Sequence, residues 1–77
     1  MTLFIFHHDI FSKNLKYLRK KKHLTQKELA LLSGINVFWI RGIERGRYRA
    51  EIPALDYRRL CEALNVKSDI LGSRYLP

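Results

Sequence analysis

Only three residues, Gly34, Ile35 and Asn36, separate two helical patterns near the middle of the chain. The first pattern has a firm start. Thr25-Gln26-Lys27-Glu28 is a capping box, in which the Thr25 hydroxyl accepts from the backbone of Glu28 and the Glu28 side chain reaches back. It stops at Ser33-Gly34, because glycine takes a left-handed backbone cheaply. The second pattern opens at once with Asn36 as a helix N-cap and closes at Gly46. So short a connection forces the two helices to turn sharply against each other. Leu29 and Leu32, with Ala30 beside them, are the expected buried face of the first helix, and Ile40 and Ile43 that of the second.

The flanking segments add three more helical patterns. Before the turn, Phe11, Leu15 and Leu18 fall at i, i+4 and i+7, which predicts a helix from about Asp9 or Ser12 to Lys22. It ends in Arg19-Lys20-Lys21-Lys22, cations that suit the partial negative charge of a helix C-terminus and that can also face phosphates. After the turn, residues 47–52 read as a basic loop. Pro53 fits the first turn of a fourth helix carrying Tyr57, Leu60, Cys61 and Leu64 on one side, with Asn65 to end it. Ser68-Asp69-Ile70-Leu71 gives one more short turn. The expectation is an all-α, five-helix domain over residues 12–71, an N-terminal arm or flap over 1–11 and a tail over 72–77. Leu3-Phe4-Ile5-Phe6 is open to three readings: a short strand, an arm on a partner subunit, or a flap over the core.

At 77 residues one domain is expected, and it buries only roughly 60% of its unfolded surface. Lys plus Arg is 15 and Asp plus Glu is 7, so the net charge is +8, which suits a polyanionic partner. No stretch approaches the ~18 apolar residues of a membrane span, and nothing resembles a secretory signal. Cys61 is the one cysteine, so no internal disulfide forms, which fits a cytoplasmic protein; in its apolar pattern it is a core residue rather than a nucleophile. His7, His8 and Asp9 are consecutive and point about 100° apart on a helix, a poor metal site. No phosphate loop, cysteine pair or nucleophile elbow is visible. No enzyme, metal or cofactor is expected.

The stretch TQKELALLSGINVFWIRGIERG, residues 25–46, resembles the helix-turn-helix of the Cro/C1 phage-repressor family, also called the XRE family. Gln26 opens the second helix, Ala30 is small where helices touch, and Gly34 sits in the turn. Ile35, Ile40 and Ile43 are apolar, and Glu44, Arg45 and Gly46 follow. LCEALNV and KSDIL resemble the fourth and fifth helices of the same lambda-repressor-like domain. The resemblance implies a regulator of transcription that binds double-stranded DNA, as a homodimer on two half-sites about 34 Å apart. It also implies an ion pair between Arg19 in the first helix and Glu44 at the end of the third. The tail after Leu71 and the Leu3-Phe4-Ile5-Phe6 segment are candidate dimer surfaces, and a toxin or other protein partner is conceivable.

In that family the third helix, here about Asn36 to Arg45, enters the major groove. The resemblance implies base reading by Asn36, Val37, Phe38, Arg41 and Gly42, and phosphate binding by Gln26, Arg45, Arg47 and Arg49. Helical geometry can be set beside it. With Ile40 and Ile43 defining the buried direction, Phe38 points roughly 170° away, Arg41 and Gly42 roughly 130° off, and Val37 and Trp39 roughly 90° and 70° off. Phe38 is therefore no core residue, and Trp39 packs at the helix edge. Valine and phenylalanine depart from the polar residues usual there, but they can touch the thymine methyl, while asparagine suits adenine and arginine guanine. A glycine at 42 would allow close approach. The alternative is a protein-docking patch of Val37, Phe38 and Trp39, on an antitoxin or regulator-binding protein.

Overall fold

In a computed structural model of the chain, residues 3–5, 8–46 and 51–71 are described. Five helices follow a short strand: β1 (Leu3–Ile5), α1 (His8–Lys21), α2 (Gln26–Ser33), α3 (Val37–Glu44), β2 (Glu51–Pro53), α4 (Ala54–Leu64) and α5 (Ser68–Leu71). β1 and β2 pair antiparallel, with Phe4 opposite Ile52. Of the readings open for the N-terminal segment, the strand is the one observed over Leu3–Ile5.

The helix boundaries have visible causes. Thr25 and Glu28 exchange both capping-box bonds, at 2.9 and 3.0 Å. Gly34 closes α2 at φ 73°, and its amide donates to the Ala30 carbonyl. The Asn36 side chain accepts the Phe38 amide at 2.8 Å, which starts α3. Asn65 ends α4 in the left-handed region, where asparagine is tolerated better than most side chains.

Phe11, Leu15 and Leu18 from α1 meet Leu29, Ile35, Ile40, Ile43, Ile52, Tyr57, Leu60, Cys61, Leu64 and Leu71 in one core. Buried polar groups tie the helices across it. Ser12 Oγ donates to the Ile43 carbonyl, Asn14 Nδ2 to the Leu71 carbonyl at 3.0 Å, and Tyr57 Oη to the Ser68 carbonyl. Among the described residues no buried side-chain nitrogen or oxygen lacks a partner. For so small a core that matters, because an orphaned buried polar group costs about 1–3 kcal/mol.

Three expectations are corrected here. Leu32 is 62% exposed rather than buried. The inner face of α2 is centred between Leu29 and Ser33, toward α3 and α4, and Leu32 lies on the far side of Leu29 from it. Residues 51–53 form a strand rather than part of a loop, and Ile52 is a core residue at 1% exposure. Pro53 accordingly ends β2 and precedes α4 instead of lying in its first turn.

Candidate nucleic-acid interface

The turn between α2 and α3 presents the first turn of α3 to solvent. Phe38 is 70% exposed, and Asn36 is exposed beside it. Val37 and Arg41 are half-buried, while Trp39 is half-buried and packs on the core. Gly42 is buried as well, although it follows Phe38 by four residues on the same side of the helix and has no side chain to project. α3 is flanked by both α1 and α2, so its buried arc is wider than Ile40 and Ile43 alone define.

Behind this face runs a chain of polar contacts through three helices. Arg19 on α1 donates from Nε and Nη2 to the two carboxylate oxygens of Glu44 on α3, at 2.7 and 2.9 Å. Its Nη1 donates to the Leu24 carbonyl at 2.7 Å, just before α2. The two side chains are 10% and 3% exposed, and the fork geometry is bidentate. Bonding to Glu44 holds the Arg19 guanidinium above its ordinary pKa despite the opposing cost of burial.

Gln26 extends the chain toward the open face. Its amide nitrogen donates to Glu44 Oε1 at 3.1 Å, and its amide oxygen accepts from Arg41 Nε at 3.3 Å. The Arg41 guanidinium carbon also lies 5.4 Å from the centre of the Phe38 ring, within cation–π range. So the cation within α3 is held on one side by an amide and on the other by an aromatic ring. The Phe38–Arg41 contact was legible as an i, i+3 pair. The Gln26–Arg41 bond was not, since it joins residues 15 apart on different helices.

Among the described residues, Asn36 caps α3 with one atom of its amide and leaves the other for outside contacts. Its Oδ1 already accepts the Phe38 amide, so its free donor is the Nδ2 amino group. Arg45 is exposed at the end of α3. Arg47 and Arg49 lie outside the described residues, as do His7, Phe6 and the tail over 72–77. Cys61 is buried, and loss of solvent pushes its thiol pKa up, as for an unreactive core residue. Among the described residues no cluster of His, Cys, Asp and Glu has the makings of a metal site, and no helix is long and apolar enough to cross a membrane.

A family model described as Helix-turn-helix matches residues 15–71. Among solved structures, the restriction-modification controller protein C.AhdI from Aeromonas hydrophila is 32% identical, with a TM-score of 0.74. The match covers 80% of this chain and 91% of that one. A hypothetical transcription factor, NHTF from Neisseria, has a TM-score of 0.79 at 24% identity, covering 87% of this chain and 75% of that one, a likeness of fold. No curated protein sequence matches.

Proposed function

The chain belongs to the Cro/C1-type (XRE) helix-turn-helix family of DNA-binding transcriptional regulators, and from that premise we propose that it recognises a specific duplex sequence by laying α3 in the major groove. The observation that carries this reading is the open first turn of α3. It sets Phe38 in solvent beside a guanidinium that Gln26 already holds. An α-helix fits the major groove, and there each base pair shows a distinct edge.

In this reading the residues divide by chemistry. Arg41 offers paired donors to guanine, and Asn36 offers its amino group to an acceptor. Val37 and Phe38 meet the apolar thymine methyl. Gln26, Arg45, Arg47 and Arg49 serve the phosphates, with Gln26 limited by its two bonds within the protein. Phosphate contacts set position and affinity without carrying sequence. Gly42, four residues after Phe38 on the same side of α3, adds no side chain that would hold the helix backbone off the base edges.

Two copies act together. The longest dimension of one copy is 28 Å, so two copies fit side by side on half-sites ~34 Å apart, each presenting one α3. Selection from a randomised duplex library tests the reading. A palindromic motif should emerge, and Arg41→Ala should relax its guanine position by about 1–3 kcal/mol. If nothing is enriched and binding is weak at every sequence, the exposed Phe38 is better read as a protein-docking residue. Binding to such a protein partner would depend little on salt.

A further inference from the structure

Phe38 and Arg41 reach the open face of α3 as one unit. The guanidinium carbon lies 5.4 Å from the ring centre, and Gln26 Oε1 accepts from Arg41 Nε at 3.3 Å. Among the described residues no partner engages the terminal Nη groups of Arg41, so its two outermost donors are available. Phe38 is 70% exposed, with the Arg41 guanidinium over its ring.

The unit has two chemistries at a fixed separation. One is a paired donor, which matches O6 and N7 of guanine. The other is apolar and matches the only apolar group on a major-groove edge, a C5-methyl. Successive bases on one strand rise about 3.4 Å, so a cation and a ring centre 5.4 Å apart can reach neighbouring bases.

Phe38 also sets a limit on what can be told apart. Its side chain has no hydrogen-bonding atom, so it cannot distinguish the O4 acceptor of thymine from the N4 donor of cytosine. It senses the methyl alone, and 5-methylcytosine carries the same methyl at the same ring position. We infer that the Phe38–Arg41 pair recognises a guanine beside a C5-methylated pyrimidine, so that methylation of cytosine at that position creates a contact that plain cytosine lacks. This rests on the base reading by α3 proposed above.

The experiment uses the full chain and a synthetic duplex carrying the site enriched from the randomised library. The position beside the guanine is built as thymine, uracil, cytosine or 5-methylcytosine. Thymine against uracil, and 5-methylcytosine against cytosine, each change only the methyl while the opposite base stays constant. Each methyl should tighten binding about fourfold, the worth of one buried methyl-sized group. Both differences should vanish in Phe38→Ala, whose melting temperature is checked against the parent. Equal binding of thymine and uracil, with the motif intact, would overturn the inference and leave DNA reading standing. A thymine preference without any 5-methylcytosine preference would overturn it too, showing that another residue reads the pyrimidine. No enriched motif at all would sink both readings.

Discussion

Arg19 closes a helix beside three lysines, yet of the four only Arg19 is buried. Its fork satisfies both oxygens of Glu44 and the Leu24 carbonyl, so three elements meet at one guanidinium. Replacing it by alanine leaves the buried Glu44 carboxylate with only the Gln26 amide. The expected cost is about 3–5 kcal/mol, large against the roughly 5–15 kcal/mol that holds a domain together. Urea unfolding of Arg19→Ala checks this, and Arg19→Lys should recover only part, because an ammonium cannot reproduce the fork. Phe38→Ala is the contrasting case. An exposed side chain off the core should leave stability within about 0.5 kcal/mol while changing the selected motif. His23 is a third residue-scale test. It lies in the turn after α1 at φ 58°, so His23→Gly should stabilise the chain by up to about 1 kcal/mol in thermal unfolding.

At the scale of elements, the connection between α2 and α3 was legible because each of its signals is local. The capping box, the glycine and the asparagine cap involve residues at most four apart, and chain geometry alone brings them together. Two outcomes follow. A Cβ at Gly34 would meet nothing within 4 Å, so Gly34→Ala should cost only the left-handed backbone strain, about 1–2 kcal/mol, with the fold retained. The bonds to Thr25 hold the Glu28 carboxyl below the usual carboxylate range. A lowered folded-state pKa contributes stability in full above the unfolded value and loses it as the pH falls through the folded one. Stability should therefore fall on acidification from neutral pH. Glu28→Gln, which keeps an acceptor but does not titrate, should show a shallower fall in urea midpoints. The orientation of α2 was less legible. Leu29 and Leu32 share a helical stripe with an apolar sequence signature, but Ser33 and Gln26 turned the inner face away from Leu32. A serine whose hydroxyl bonds the Leu29 carbonyl can be buried, and the sequence pattern does not reveal that.

For the whole molecule, the net charge of +8 on 77 residues gives a field that no single contact describes. Affinity for duplex DNA should fall steeply with salt, and Arg45→Ala should weaken all sequences alike while reducing the logarithmic salt slope by about 1. The amino-acid sequence by itself determined the helices, the caps of α2 and α3, the tight turn and the outward position of Phe38. Each depends on neighbours within a turn or two of chain, where covalent geometry fixes who meets whom. Tertiary structure decided the pairing of residues 3–5 with 51–53, the burial of Ile52 and Gly42, the exposure of Leu32 and the Gln26–Arg41 bond. Those depend on how rigid elements pack in three dimensions. A contact between residues 15 or 48 positions apart leaves no period in the sequence from which to read it.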